Sequence, residues 1–198
     1  MLLHIPHAKL RRWGLVPGDV DELAERVLSF HELMELFVIG FFRRAGVSMH
    51  VVRAARAHAK DLFATEYPFA TERLNTDRAV IFRNLPVVDI PAKRLKVELS
   101  KSQGALTECV EPFLLQNVDY ENGFASTYWP IGRERPVLLD ARRAFGRPLV
   151  VRTGTPTFAL YGMHKSGENH DCIAAWYEVT RDELDAAIEF EESLREPA

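Results

Sequence analysis

The sequence predicts an α+β protein with a mainly helical N-terminal region, short central strands and a small C-terminal helix-turn-helix domain. Three patterns support this fold class. Apolar residues recur at helical spacing after Ser29, short β-branched or alternating runs fill residues 79–131, and closely spaced helical patterns follow Thr157. The changes of pattern divide the chain into a helical region 1–78, a mixed connecting region 79–132 and a C-terminal domain 133–198.

The composition is that of a folded protein. Of 198 residues, 47% are hydrophobic, which is enough to form a substantial core. No apolar run approaches the ~20 residues that a membrane helix needs, and the N-terminus has no signal-peptide pattern. Cys109 and Cys172 are far apart in sequence, which favours a reducing compartment. We therefore expect a cytoplasmic protein, and its net charge of -3 argues against nucleic-acid binding over the whole surface.

The first predicted helix begins at a capping box. Ser29 is followed three residues later by Glu32, and the helical pattern runs to Arg44. Its apolar stripe has the i, i+3, i+4 and i+7 spacing of a buried face and consists of Phe30, Leu33, Met34, Phe37, Val38 and Phe41. Three more apolar residues widen the stripe, namely Leu36, Ile39 and Phe42. We therefore expect this helix to be central and packed on more than one side.

A second helix is predicted from its cap at Ser48 to about Phe63. Its inward-facing residues are predicted to be Val52, Ala55, Ala59, Leu62 and Phe63. A basic stripe lies on another side and contains His50, Arg53 and Lys60, with Arg56 close by. This stripe is consistent either with nucleic-acid binding or with a charged face that meets only solvent.

Residues 4–13 form a second basic segment, in which apolar and basic residues alternate. Lysine and arginine are required wherever a helix approaches the phosphates of DNA. The residues that we predict to bind DNA are therefore His7, Lys9, Arg11, Arg12, Arg53, Arg56 and Lys60.

The connecting region favours short strands around one helix. Strands are predicted at residues 80–82, 94–99 and 126–129, and a helix at 106–115 with a kink or stop at Pro112. Residues 137–139 are predicted to form a further strand that could pair with the strand 149–151.

The C-terminal domain is predicted to contain three short helices. Thr157 is placed to cap the first, Asn169 the second, and Thr180 opens the third with a capping box completed by Glu183. The apolar side of the second helix consists of Ile173, Ala174, Trp176 and Tyr177, and one side of the third consists of Leu184, Ala187, Ile188 and Glu191. The last two helices have the length of a helix-turn-helix.

The charge of the last helix argues against DNA binding by that helix-turn-helix. Its exposed side carries Asp182, Asp185 and Glu189, which would repel a DNA duplex. We therefore interpret it as a module for dimerisation or for binding a partner protein.

The residues of the C-terminal domain also resemble a known family. The segments are G-R-P-L-V-V-R-T-G-T-P-T, G-M-H-K-S-G-E-N, I-A-A-W-Y-E-V-T-R-D-E-L and A-A-I-E-F, within about residues 136–194. They resemble the small domain of unknown function 433, which stands beside a PIN-like nuclease toxin in VapB-type antitoxins. The turn at Gly154, Thr155 and Pro156 is two residues shorter than in that family.

The N-terminal half is similar to the MerR-like region that is coupled to this domain in such antitoxins. The similar segments are L-S-F-H-E-L-M-E-L-F, R-R-A-G-V-S-M-H-V-V-R-A-A-R and Y-P-F-A-T-E-R-L-N-T-D, within residues 28–77. Residues 5–13 are similar to the recognition helix of a MerR-type DNA reader. In that family a further helix precedes this one, whereas here the chain begins at Met1, so that helix is either trimmed from the start or absent.

The resemblance implies an antitoxin that binds a PIN-like nuclease toxin and also binds operator DNA to regulate its own operon. Such a nuclease is implied to hold its metal with acidic residues, and arginine pairs two-pronged with carboxylates. The predicted toxin-binding residues are therefore Arg133, Arg135, Arg142, Arg143, Arg147 and Arg152. Pairing of these arginines with the acidic C-terminal helix is the alternative.

A homodimer is also expected, because the apolar surface of the central helix and of the Trp176 side exceeds what a small domain covers alone, and operator readers are commonly two-fold.

Motifs for catalysis or for cofactors were not found in the sequence. It has no phosphate-binding glycine loop, no Gly-x-Ser-x-Gly elbow and no His-Glu-x-x-His zinc helix. His164, His170 and Cys172 are close together, but no further ligand has zinc-site spacing, so we expect no metal and no cofactor. The rival interpretation is a stand-alone MerR-like transcription regulator that responds to a small ligand in the central strands, and an enzyme is the third.

Overall fold

The computed structural model describes residues 29–77, 81 and 92–195. The described residues fall into two compact units. The N-terminal unit runs to residue 115 and also includes residues 120–125, and the C-terminal unit contains residues 116–119 and continues from residue 126. The division into regions 1–78, 79–132 and 133–198 stays a prediction.

Helices form most of the N-terminal unit. Helix α1 spans Phe30–Arg44, α2 spans Met49–Phe63, and the short α3 spans Arg73–Thr76. Helix α4, Ala92–Ala105, continues through a π-helical turn at Leu106–Val110 into α5, Glu111–Asn117. The capping box of α1 is confirmed, because the Ser29 hydroxyl accepts from the Glu32 amide and the Glu32 carboxylate accepts from the Ser29 amide.

Helix α1 is buried on more than one side, as predicted, although its stripe is not uniform. Phe30, Leu33, Met34 and Val38 are buried, and so is Phe42. Phe37 and Phe41 are only half-buried, and both rings lie against Phe113. In α2 the predicted inward residues are buried except for Leu62, which is exposed at the end of the helix.

The predicted strand at residues 94–99 is wrong, because this segment lies inside α4. The alternating pattern of its sequence, Arg-Leu-Lys-Val-Glu-Leu, suggested a strand, but arginine, leucine, lysine and glutamate are all strong helix formers. Ile81, the one described residue of the predicted strand 80–82, is also helical. The helix predicted at 106–115 is confirmed, but Pro112 does not end it, since α5 begins one residue earlier and continues to Asn117.

The described strands form one sheet in the order β1-β2-β3-β4. They are β1, Val118–Glu121; β2, Phe124–Tyr128; β3, Val137–Asp140; and β4, Leu149–Val150. The turn between β1 and β2 is Asn122-Gly123, and both residues have positive φ, as a tight hairpin requires. The predicted pairing of the last two strands is confirmed: β3 and β4 are antiparallel, with Val137 opposite Val150.

Helices α6, Thr157–Lys165, α7, His170–Tyr177, and α8, Arg181–Ser193, complete the C-terminal unit. The caps at Asn169 and Thr180 are confirmed. The cap at Thr157 is wrong, because Pro156 is the N-cap of α6 and Thr157 lies inside the first turn. Thr157 is fully buried, and its hydroxyl donates to the Glu191 carboxylate at 2.6 Å. Its side chain therefore links α6 to α8 instead of capping α6.

The three helices pack around a shared apolar core that includes Leu160, Ile173, Leu184 and Ile188. The predicted apolar side of α7 is only partly buried, since Ile173 lies in this core while the Trp176 side chain is 80% exposed. Ala174 and Tyr177 pack against the core together with Ile173, and Trp176 lies about 100° around the helix from the centre of that face.

The architecture is therefore α+β, as the sequence predicted. Among the described residues, no helix combines the length and the apolar character needed to span a bilayer.

Candidate functional site

The predicted DNA-binding residues have different environments. His7, Lys9, Arg11 and Arg12 lie outside the described residues. Arg53 is exposed on α2 and has no ion pair with any residue that the structure describes. It therefore presents a guanidinium group that is available to a ligand.

Arg56 and Lys60, on the same helix, are already engaged within the N-terminal unit. The Arg56 guanidinium lies 2.6 Å from the Glu35 carboxylate and also donates to the Glu66 carbonyl at 2.7 Å. The Lys60 ammonium lies 2.8 Å from the Glu66 carboxylate. DNA binding by Arg56 would compete with its pairing to a buried acid, so Arg53 is the better candidate of the three.

Of the predicted toxin-binding residues, Arg133 is held within the C-terminal unit. Its guanidinium donates to the Asp119 carboxylate at 2.7 Å and to the Gln116 carbonyl at 2.7 Å. Burial raises the pKa of Asp119, but the hydrogen bonds from Arg133 and Trp129 outweigh it and bring the pKa below its usual value. Arg133 thus stabilises the fold around the first strand.

Arg135 and Arg152 pair with α8, which is the alternative that the sequence left open. Arg135 forms an ion pair with Glu189. Arg152 forms a two-pronged pair with Glu183, with N–O distances of 3.0 and 2.7 Å, and donates to the Glu178 carbonyl at 2.6 Å. The hydrogen bond from Arg152 lowers the pKa of the Glu183 carboxyl below its usual value. These two ion pairs therefore connect α8 to the rest of the C-terminal unit.

Arg142, Arg143 and Arg147 lie between β3 and β4. The Arg142 guanidinium lies 3.6 Å from the Asp140 carboxylate, and Arg143 donates to the Val151 carbonyl at 3.2 Å. Arg147 is exposed, and its guanidinium lies over the Phe158 ring, 5.2 Å from the ring centre.

Phe158 is itself 49% exposed, so the pair with Arg147 forms an amphipathic feature on the surface. Among the described residues, no carboxylate forms an ion pair with Arg147. Arg147 is therefore the predicted toxin-binding residue that is best placed to pair with an acidic group of another molecule.

A second surface feature was not predicted from the sequence. A cavity of about 380 Å³ is lined by three carboxylates of α8 and their neighbours, namely His170, Asp185, Ile188, Glu189, Glu192 and Ser193. The helical spacing of α8 contains the signal for it, because Asp185, Glu189 and Glu192 share one side at i, i+4 and i+7.

His170 also contacts α6. The Nδ1 of His164 and the Nε2 of His170 are 2.7 Å apart, and the Nδ1 of His170 lies 3.9 Å from the Asp185 carboxylate. Cys172 is exposed on the far side of α7. Within residues 29–77, 81 and 92–195, no group of three or more histidine, cysteine or acidic residues has the geometry to hold a metal ion.

The fold and these surfaces define an α+β protein whose C-terminal helical domain carries exposed cationic, aromatic and acidic features. Residues 137–190 match a protein family described as "Protein of unknown function (DUF433)", which confirms the resemblance for the C-terminal domain. The MerR-like character of the N-terminal half stays a prediction.

One protein similar in sequence and one solved structure similar in fold each cover most of the chain. It is 28% identical over 170 residues to a protein of Mycobacterium tuberculosis (strain ATCC 25618 / H37Rv) described as "Putative antitoxin VapB45", covering 82% of this chain and 70% of that protein. The fold is similar to the X-ray crystal structure of Rv2018 from Mycobacterium tuberculosis, with a TM-score of 0.66 and 22% identity. That match covers 95% of this chain and 100% of the other, and it shows a shared fold.

Proposed function

We propose that this protein is the antitoxin of a type II toxin–antitoxin pair, which binds a PIN-like nuclease toxin directly and regulates its own operon by binding DNA. The observation that carries the proposal is the similarity to an antitoxin-named protein over 170 residues, 82% of the chain. The match of residues 137–190 to a protein family of unknown function supports it, because the resemblance implies that this domain stands beside such toxins. The role is that of a binding protein rather than an enzyme.

The toxin contact is assigned first to Arg147. A nuclease that holds a metal with carboxylates offers a concentrated negative charge, and a guanidinium group can pair with two carboxylate oxygens at once. Arg147 has its charge available, and Phe158 beneath it adds apolar contact area. Arg133, Arg135 and Arg152 have intramolecular carboxylate partners, so they contribute less to such a contact.

Arg147→Ala is expected to weaken toxin binding about 30-fold, the loss of about 2 kcal/mol that is typical of an interface hot spot. Binding of the full chain to the product of the adjacent gene would be measured by isothermal titration calorimetry. Lys165→Ala, which removes an exposed cation of the same unit, is the matched control and should leave the affinity unchanged. Equal affinities for wild type and Arg147→Ala would contradict the assignment. Wild type that binds no toxin but co-purifies with a small molecule would favour the ligand-responsive regulator.

DNA binding is assigned to the N-terminal unit, where Arg53 and the exposed His50 lie on one face of α2. Arg53 is expected to contact phosphate, which sets affinity more than sequence preference. A homodimer would present two copies of this face to a two-fold operator.

Arg53→Ala is expected to weaken binding to operator and random DNA alike, and to reduce the slope of log affinity against log salt by about 0.9. Gel-shift titrations over a range of salt concentrations would measure both effects. Arg53→Ala should keep the wild-type affinity for the toxin, and Lys165→Ala should keep the wild-type salt slope. Loss of operator binding alone, with random DNA unaffected, would show that Arg53 reads bases instead.

A further inference from the structure

We propose that the turn between α1 and α2 is a phosphate-binding corner, at which Arg43 and Lys101 contact the backbone of the same DNA as Arg53. This surface, the α1–α2 corner, consists of Arg43, Lys101 and the turn residues Gly46 and Val47. The inference rests on the proposed function, because it names a further contact with the DNA that the N-terminal unit binds. Neither Arg43 nor Lys101 is among the residues that the sequence predicted to bind DNA.

Two hydrogen bonds bring the cations of the corner together. The Arg43 guanidinium, at the end of α1, donates to the Val47 carbonyl at 2.9 Å. The Lys101 ammonium, on α4, donates to the Gly46 carbonyl at 3.5 Å. Gly46 and Val47 are consecutive, so standard backbone dimensions hold the two cationic groups within about 13 Å of each other. Two helices that are distant in the sequence therefore place their charges at one turn.

Both cations keep their charge available for a ligand. Arg43 and Lys101 are exposed, and the groups that accept their hydrogen bonds are neutral carbonyls. Within the described part of the chain, neither cation forms an ion pair with a carboxylate. A guanidinium group has five N–H donors and an ammonium group has three, so each retains donors for an anion. Arg56 and Lys60 differ in this respect, because both pair with carboxylates.

The carboxylate of Glu98, three residues before Lys101 on α4, is engaged on the buried side of the turn. Glu98 is only 6% exposed, and its carboxylate accepts from the Ser48 amide at 2.7 Å. It thus satisfies the start of α2, where the Ser48 side chain makes no capping hydrogen bond. Glu98 connects α4 to the turn from the inside, and the exposed side of the corner carries the two cations.

The sequence around the corner concentrates positive charge. Residues 36–60 contain five lysines and arginines and no aspartate or glutamate, although the whole chain has a net charge of -3. The positive potential of the corner is therefore not cancelled by acidic neighbours along α1 and α2. An anion with many charges, rather than a single carboxylate, is the ligand that such a stretch attracts most strongly.

The chemistry of the cations favours DNA over a protein partner. Lysine is depleted in protein–protein interfaces, whereas lysine and arginine are regular donors to DNA phosphates. Arg53 is five residues beyond Ser48, the N-cap of α2, which corresponds to about 8 Å along the helix axis. A DNA strand presents a phosphate about every 3.4 Å along its axis, so one duplex can contact both the corner and Arg53.

The test is a set of gel-shift titrations of the full chain with operator DNA and with random duplex DNA, over about 50 to 200 mM salt. Lys101→Ala and Arg43→Ala are each expected to reduce the slope of log affinity against log salt by about 0.9, as the loss of one phosphate contact does. The reduction should be equal on both DNAs, because phosphate contacts carry no sequence information. Lys101→Arg keeps the charge and should keep the wild-type slope.

Matched controls separate a local contact from a general loss of charge or stability. Gln103→Ala changes an exposed neutral side chain on the same helix as Lys101, so it should keep the wild-type slope. Arg44→Ala should keep it too, because this exposed cation lies over the Phe41 ring, 4.6 Å from the ring centre, instead of bonding to the turn. Urea denaturation would check that each variant is folded. If Arg43→Ala is not, Lys101→Ala carries the test, because the Lys101 bond to the turn is long and exposed.

The outcomes distinguish this inference from the proposed function. Wild-type slopes for Lys101→Ala and Arg43→Ala, with a reduced slope for Arg53→Ala, would overturn the inference and leave the proposed function standing. An equal reduction by Arg44→Ala would also overturn it, since the surface would then act as a diffuse positive field. Loss of toxin affinity by Lys101→Ala, with DNA binding unchanged, would identify the corner as a protein contact instead. Wild type that binds no DNA would overturn both the inference and the DNA-binding part of the proposed function.

Discussion

Arg56→Ala is expected to lower the free energy of unfolding by about 3 kcal/mol, because it leaves a buried carboxylate without its counter-ion. The Glu35 side chain is only 6% exposed, and its partner is the Arg56 guanidinium at 2.6 Å. The Phe69 amide also donates to Glu35, at 3.1 Å, and this bond remains in the variant. The expected loss is therefore at the lower end of the range for breaking a buried ion pair.

The loss is expected to depend on pH. Burial raises the pKa of Glu35 above its usual value, and Arg56 and the Phe69 amide oppose that rise. A carboxyl whose pKa is higher in the folded state than in the unfolded state stabilises the fold only when protonated, so its contribution is lost as pH rises through the folded-state pKa. Removing Arg56 raises that pKa further. The deficit of Arg56→Ala should thus be larger at about pH 7.5 than at about pH 5.

Urea denaturation of both proteins at the two pH values would measure this difference. Arg53→Ala, three residues away on the same helix and exposed, is the matched control and should change stability by less than about 0.5 kcal/mol. A deficit of Arg56→Ala that is equally small, or that does not vary with pH, would show that Glu35 is not held as a buried anion by Arg56.

The starts of α1 and α8 were predictable from the sequence because their signals are local. Each capping box, at Ser29–Glu32 and at Thr180–Glu183, contains both partners within four residues, and the structure confirms both. The pairing of β3 with β4 was also predictable, because two short apolar runs flank one loop.

Features that depend on distant parts of the chain were not predictable in this way. Trp176 has the spacing of an inward-facing residue. However, α7 has only two turns, and Ile173 and Tyr177, not Trp176, pack in the apolar core that α7 shares with α6 and α8. Glu35 looks like an ordinary polar interruption of an apolar stripe. Its partner Arg56 is 21 residues away on another helix, and only the packing of the unit brings them together.

The partners of the predicted toxin-binding arginines could not be predicted from the sequence either. Composition identified a cluster of arginines before α6, but it could not tell which of them have intramolecular partners. The partners of Arg135 and Arg152 lie 54 and 31 residues further along, on α8. The six arginines predicted to bind the toxin were equivalent in the sequence. The structure distinguishes them, and Arg147 becomes the preferred candidate because its charge has no intramolecular carboxylate partner among the described residues. The acidic side of α8 was visible in the sequence.

The second large effect is expected for Phe42→Ala, which should lower the free energy of unfolding by about 3–5 kcal/mol, as truncation of a buried phenylalanine does. Phe42 is fully buried, and its ring centre lies 6.0 Å from that of Phe69, which is fully buried too. The cavity left by the ring would be lined by side chains of the central helix and its neighbours, which cannot collapse without moving α1.

Phe37→Ala on the same helix is the matched comparison. Phe37 is half-buried, with its ring 5.5 Å from that of Phe113, so its truncation should cost only about 1–2 kcal/mol through partial burial and one aromatic contact. Thermal and urea denaturation of the two variants would measure the difference. Helical spacing alone places Phe37 in the buried stripe and Phe42 beside it, and so predicts the larger effect for Phe37. A larger loss for Phe37→Ala than for Phe42→Ala would mean that α1 is rotated from the orientation described here.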